Sequence, residues 1–246
     1  MSLKSRVNLA IGNLMRAALR PVGYTLTPLK RRAEYIDAAE IRAAAAAAYM
    51  SVPRYVARLW NEEGVVEGVI AELKSCGALD GGGRTVEIGA GTGRYLEQVL
   101  PRFRPDYYEI YELDDGWAEY LVETHGVVRR ACDGKTLGET VDASCSLVQA
   151  HNVFVYLKPL QSLDYLLEMC RVCAPSGWLV FDYFPSEESS TAQVEDWMSH
   201  PERYQVFLPE RIVDGILTAR GFRKVTSFPV RCFRGSARYD VYRRTS

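Results

Sequence analysis

The hydrophobic rhythm of the chain changes near residue 84. Before it, apolar positions recur at helical spacing. Leu3, Val7, Ala10, Ile11, Leu14, Met15 and Leu19 fall near a 3.6-residue period and predict an amphipathic helix over 2–19, stopped by Pro21 and Gly23. A second helix is predicted over 34–50, carrying the alanine tract Ala43 to Ala48. A third is predicted over 54–75 on Tyr55, Leu59, Val66, Ile70 and Leu73. Gly81-Gly-Gly83 reads as a linker.

From Arg84 onward, short apolar runs alternate with helical patterns. Strands are predicted at 85–88, 107–112, 127–132, 143–150, 178–183, 222–228 and 237–242, and helices at 92–99, 116–124, 159–173 and 209–220. That alternation predicts a doubly wound α/β domain, a parallel sheet with helices on both faces. The last two strands are joined only by Arg234-Gly-Ser236, too short for a helical crossover, so they must pair antiparallel. The expected organisation is an arm at 1–33, a helical cap or lid at 34–83 and the sheet domain at 84–246.

Charge adds an asymmetry to this outline. Residues 1–33 hold seven basic residues and no acidic ones, while the remainder holds 23 basic and 31 acidic residues. A basic amphipathic arm on an acidic body suits an anionic membrane surface, where each basic residue contributes about 1 kcal/mol, or a homodimer contact. The acidic body offers no general surface for nucleic acid. The six cysteines are scattered, and the lone Cys170-x-x-Cys173 lacks further ligands, so no metal site is expected. Reduced thiols, no 18-residue apolar run and no apolar signal core together predict a cytoplasmic protein.

In open α/β sheets, ligands bind beyond the carboxyl ends of the strands. Here the strand ends carry Glu87-Ile-Gly89-Ala-Gly91-Thr-Gly93, then Glu112, then Asp133-Gly134, then His151-Asn152. The glycines permit a tight turn and close approach of a ligand. A carboxylate at 112 can accept from two ribose hydroxyls, and Asp133 from an adenine amino group beside the Gly134 amide. The dinucleotide fingerprint is G-x-G-x-x-G, whereas the third glycine here comes one position early. Glu87, next to the glycine turn, would repel a pyrophosphate and attract an ammonium. An adenosine joined to an amino acid fits these sites.

The run Thr85-Val-Glu-Ile-Gly-Ala-Gly-Thr-Gly-Arg94 resembles the first motif of the class I S-adenosylmethionine-dependent methyltransferases. Glu112, Asp133 and the segment 148–157 resemble the following three motifs in order and spacing. The resemblance covers 84–244 and implies a seven-stranded, mostly parallel Rossmann-like sheet whose last strand is antiparallel. It implies S-adenosyl-L-methionine as cofactor, held by Glu87, Gly89, Ala90, Gly91, Gly93, Glu112, Leu113, Asp133, Gly134 and Ala150. Gly93-Arg-Tyr-Leu96, Tyr108-Glu-Ile-Tyr-Glu112 with Trp117, Asp133-Gly-Lys-Thr-Leu137 and His151-Asn-Val-Phe-Val-Tyr-Leu157 are similar to a bacterial group associated with O-methylation of sugars, polysaccharides and natural products.

The class implies in-line transfer of a methyl group to a nucleophile. A hydroxyl acceptor must lose its proton, and His151, just past the fourth strand with an ordinary pKa near neutrality, is the candidate base. Asp182 and Tyr183 end the fifth strand. The insert at 185–207 carries Trp197, His200 and Tyr204, which can close over a small-molecule or glycan acceptor. Tyr49 and Tyr55 are expected in a lid from the preceding helices. A NAD-dependent oxidoreductase and a non-catalytic binding module are the competing functions. Glycine spacing and Glu87 oppose the first, and the complete set of strand-end acids opposes the second.

Overall fold

A computed structural model describes residues 36–200, 206–232 and 235–245. The predicted helix at 2–19, the basic arm at 1–33 and Tyr204 lie outside the described residues.

Among the described residues, three helices precede the sheet: α1 (Ala38–Ala47), α2 (Val52–Leu59) and α3 (Val65–Ser75). Asp37 and Ser51 cap the first two, each accepting a backbone N–H three residues on. The periodicity over 54–75 predicts one helix, but the chain breaks it between Trp60 and Gly64. Asn61 and Gly64 both take positive φ, 56° and 82°. The break is invisible to periodicity because Glu62, inside it, turns inward and is buried.

The core repeats strand and helix: β1 (Gly83–Ile88), α4 (Leu96–Phe103), β2 (Pro105–Tyr111), α5 (Asp115–His125), β3 (Val128–Arg129), β4 (Cys145–Ala150), α6 (Pro159–Val172) and β5 (Cys173–Pro185). After β5 come α7 (Thr191–Ser199), β6 (Phe207–Leu208), α8 (Glu210–Thr218), β7 (Phe222–Cys232) and β8 (Gly235–Arg244). The main sheet runs β3-β2-β1-β4-β5-β8-β7, with β6 a short parallel addition to the end of β5. Pairings from β3 to β5 are parallel, and β8 is antiparallel to both its neighbours. The doubly wound fold with a closing hairpin is therefore as the strand spacing predicts.

One face of the sheet carries Val86, Ile88, Val148, Leu179 and Phe181 against Leu166 and Met169 of α6 and Val213 and Leu217 of α8. Each is essentially inaccessible, and burying such a side chain contributes about 1.5–3 kcal/mol. The opposite face carries Thr85, Glu87, Tyr108, Gln149, Asp182 and Tyr239, a polar stripe that is also buried. Side chains alternate between faces along a strand, so the register decides which polar groups meet there.

Other boundaries shift. Helix α4 starts at Leu96, not 92, and β3 keeps two residues. The insert at 185–207 contains a helix: Ser190 caps α7, and Trp197 pins it against Phe184 and Phe207 at 5.8 and 5.3 Å. Among the described residues no helix is long and apolar enough to cross a membrane, and no cluster is built to hold a metal.

Candidate active site

β1 delivers the chain into the glycine turn, where Gly89 N–H donates to Tyr111 O of β2 at 2.8 Å. The three glycines have positive φ but different surroundings. A Cβ on Gly89 would lie 2.8 Å from Val153 Cγ2, and one on Gly93 would lie 2.5 Å from Leu121 Cδ2. These two are glycines because the fold packs against them. A Cβ on Gly91, at φ 51°, would have only Gly89 O within 4 Å, at 3.9 Å, so that side of it is open. Glu112 reaches this point: its Oε2 accepts Gly91 N–H at 2.8 Å and its Oε1 accepts Asp114 N–H at 2.9 Å. Burial raises the Glu112 pKa against these two bonds.

Leu113 follows with 64% of its surface exposed, unusual for a leucine beside a buried carboxylate. A Cβ on Gly134 would be 3.8 Å from the Leu113 side chain, so the ends of β2 and β3 adjoin. Asp133 folds back on its own turn, its Oδ1 accepting Lys135 N–H and Thr136 N–H at 2.8 and 2.7 Å. Those bonds hold its carboxyl below the usual range. Glu112 and Asp133 both act electrostatically on Cys132 and Tyr165, so they share a neighbourhood. Ala90 is buried in the glycine turn, and the Ala150 methyl packs into the core on the α6 side.

Glu87, just before the glycine turn, is buried at 1% exposure. Its Oε2 accepts from the Tyr108 hydroxyl and from Gln149 Nε2, both on the same buried face. Burial pushes its carboxyl up to about 7, with the Glu112 charge adding to the rise. Glu87 thus stands in an internal hydrogen-bonded cluster, with Tyr108 and Gln149 both on one of its two oxygens. The register that sets Glu87 opposite Gln149 is the reason.

A second polar group lies beyond β4 and β5. His151 stacks on Tyr95 with ring centroids 3.8 Å apart, and its Nδ1 is 3.2 Å from the Tyr239 hydroxyl. Tyr239 in turn donates to the Tyr95 hydroxyl at 2.9 Å. Since the Tyr239 proton is used there, His151 Nδ1 carries its own proton and Nε2 is a bare lone pair. Burial, with the Arg94 charge behind it, lowers the His151 pKa to about 3. The near-neutral pKa expected from residue type is corrected here by enclosure between two tyrosines.

Asp182, opposite Tyr239 in the β5–β8 register, accepts Asn152 N–H on Oδ1 at 2.7 Å. Asn152 provides that N–H from φ 56°, a conformation asparagine tolerates. Asp182 is 1% exposed, and burial lifts its carboxyl to about 7. Its Oδ2 and His151 Nε2 are both buried without a hydrogen-bond partner among the described residues. An unsatisfied buried polar atom costs about 1–3 kcal/mol, and a hydrogen-bonding ligand would relieve that cost at both.

Against known proteins, no family model and no curated relative matches the chain. Solved structures do match. Magnesium protoporphyrin IX methyltransferase from Synechocystis PCC 6803, with bound SAH, superposes with TM-score 0.57 at 14% identity, over 73% of this chain and 82% of that one. Geranyl diphosphate C-methyltransferase from Streptomyces coelicolor A3(2) gives 0.57 at 14%, over 73% and 78%. The N-methyltransferase NodS from Bradyrhizobium japonicum WM9, with SAH, gives 0.56 at 17%, over 73% and 87%. The chain has the class I methyltransferase fold.

In this fold the remaining expected residues are distributed unevenly. Tyr49, expected in a lid, stands 98% exposed at φ 54° between α1 and α2, and Tyr55 is half-buried in α2. Trp197 is an anchor of α7, packed with Val155, Phe184 and Phe207. His200 caps the end of α7, partly exposed, with its Nδ1 3.1 Å from Asp196 Oδ1. The structure instead brings in residues the sequence reading passed over. Arg94 and Tyr95, directly after the glycine turn, and Tyr239 on β8 surround His151. Arg94 is buried, 2.8 Å from Glu62, with its guanidinium 4.8 Å over the Trp60 ring. The run Gly93-Arg-Tyr-Leu96 was the available signal for the first two; nothing local signals Glu62 or Tyr239.

Proposed function

We propose that the chain is an S-adenosylmethionine-dependent methyltransferase acting on a hydroxyl of a small molecule, a sugar or a glycan, including a lipid-linked one. The observation that carries the reading is Glu112 bonded to the open glycine, Gly91, with exposed Leu113 beside it. A carboxylate at that point suits ribose hydroxyls, the leucine suits an adenine ring, and the open glycine surface admits an amino-acid tail. Asp133 and Gly134, in the turn that follows β3, suit the base edge. The antiparallel β8 also separates this sheet from the dinucleotide-binding type, whose six strands are parallel.

The bound cofactor supplies an electrophilic methyl carbon. The protein's part is to hold the acceptor oxygen in line and relieve it of its proton, worth about 10²–10⁴-fold from a placed base. His151, just past β4, and Asp182, within β5, face that task. The basic arm at 1–33 would hold the enzyme at an anionic membrane surface or in a homodimer, and vesicle co-sedimentation with and without those residues separates the two.

Titration calorimetry with S-adenosylmethionine, S-adenosylhomocysteine and NAD tests the cofactor. Binding of the first two and not the third is expected; NAD binding alone would refute it. Transfer of a radiolabelled methyl group into a small-molecule extract then identifies the acceptor. Cofactor binding with no transfer to any fraction points to a non-catalytic module.

A further inference from the structure

Two buried atoms on adjacent strands, one just past the end of β4 and one within β5, lack partners, and they are not equivalent. His151 follows Ala150, which pairs with Phe181, so His151 and Asp182 stand one step beyond the last β4–β5 pair and on the same face. Asp182 Oδ1 is fixed by Asn152 N–H, leaving Oδ2 with its lone pairs uncommitted. His151 is fixed by Tyr95 on one ring face and by Tyr239 at Nδ1, leaving the Nε2 lone pair uncommitted.

We infer that Asp182 takes the proton of the acceptor hydroxyl, while His151 stays neutral and accepts a hydrogen bond from a second donor on the same acceptor. The inference rests on the methyltransferase reading and departs from its simplest form, in which the histidine is the base. In the step itself the acceptor oxygen bonds to the methyl carbon as the carbon–sulfur bond breaks and its electron pair leaves with sulfur. The hydroxyl proton passes to Asp182 Oδ2, turning carboxylate into carboxylic acid. A negative carboxylate and a positive sulfonium become two neutral groups, so the buried site ends with no net charge created.

The surroundings favour this division. The charged and titratable groups facing the pair are Glu62 and Arg94 from the segments before and after β1, and Tyr95 and Tyr239. Arg94 opposes a positive imidazolium at His151, and Glu62 strengthens the hold of the Asp182 carboxylate on a proton it takes up. A carboxyl lifted by burial to about 7 holds an abstracted proton at neutral pH; an imidazole pressed down to about 3 does not. With two uncommitted acceptors on adjacent strands, the fitting acceptor molecule carries two donors, as a diol does.

The test uses the full chain loaded with S-adenosylhomocysteine. Carboxyl-carbon NMR, with Asp182→Asn to assign the resonance, should show Asp182 titrating near pH 7, and ring-nitrogen NMR should show His151 neutral with its proton on Nδ1. Protonation of His151 above pH ~5 together with an Asp182 midpoint near ~4 overturns the inference. With the labelled acceptor, Asp182→Asn, which retains an oxygen for Asn152 N–H, should lower kcat by about 10²–10⁴-fold, leave KM nearly unchanged and abolish the rise of kcat with pH. His151→Phe, which keeps the stack on Tyr95, should raise KM more than it lowers kcat. Full kcat in Asp182→Asn overturns the inference even if His151→Phe is slow. Calorimetry keeps the two levels apart: failure of the wild-type chain to bind S-adenosylhomocysteine defeats the methyltransferase reading, whereas normal binding with the wrong protonation pattern defeats only the assignment of the base.

Discussion

Replacing Gly93 and Gly91 by alanine should separate the packing glycine from the ligand-facing one. Both sit at positive φ, 77° and 51°, so either alanine bears about 1–2 kcal/mol of left-handed backbone strain. Only at 93 is there a second cost. The added methyl would lie 2.5 Å from Leu121 Cδ2, well inside the ~3.5–4.0 Å of comfortable carbon contact, and Leu121 is fully buried. Overpacking of this kind costs about 1–3 kcal/mol, which places Gly93→Ala at about 2–5 kcal/mol and Gly91→Ala near 1–2. Urea unfolding with a common slope m reads both losses. Leu121→Val removes the clashing methyl, so the double variant Gly93→Ala/Leu121→Val should lose less than the two singles taken together, by about 1 kcal/mol or more. Calorimetry should show the reverse order for S-adenosylhomocysteine, with Gly91→Ala the more damaging. Equal stability losses at 91 and 93, or unchanged ligand affinity in Gly91→Ala, would refute the assignment of the two glycines.

Glu62→Ala leaves the Arg94 guanidinium buried without its partner and should cost about 3–5 kcal/mol by denaturation; a loss below about 1 would mean that solvent reaches the pair. Glu87 provides a pH test. Its folded pKa of about 7 stands above the unfolded 4.5, so its ionisation costs the folded chain nothing below 4.5, increasingly from 4.5 to 7, and about 3 kcal/mol above that. Glu87→Gln should therefore stabilise the protein at pH 8 and leave it unchanged at pH 4, and a gain at both pH values would contradict the burial argument. Burial also raises Cys145 to about 11 and Cys170 to about 12, and Cys173 upward as well, so these thiols should resist alkylation at pH 7.5 until the chain unfolds. Rapid native labelling at any of the three would show local opening.

The architecture was legible where a single local period governed it. Strand–helix alternation predicted the parallel sheet, and the short Arg234–Ser236 turn predicted the antiparallel hairpin, which the β8 pairings display. Legibility failed where two local signals competed. The helical period continues from α2 into α3 although Asn61 and Gly64 break the chain between them. The insert after β5 has its helix anchored by a single tryptophan against side chains from other elements, leaving little periodicity to detect.

For the site, the sequence by itself determined which residues follow the strands, because turn chemistry is local: the glycine turn after β1, Glu112 after β2, Asp133 in the turn beyond β3 and His151 after β4; Asp182, expected at the end of the fifth strand, lies inside β5, which runs on to Pro185. It could not determine what each of them touches. Tyr239 lies 88 residues from His151, and Gln149 lies 62 from Glu87. Only the register of the assembled sheet aligns them on one face. That alignment withdraws water from the polar stripe, and desolvation then moves the proton affinities, raising the carboxyls of Glu87 and Asp182 and lowering the imidazole of His151. Residue order carries the inventory of acids and bases; their working charge is a property of the dielectric that the tertiary structure builds around them.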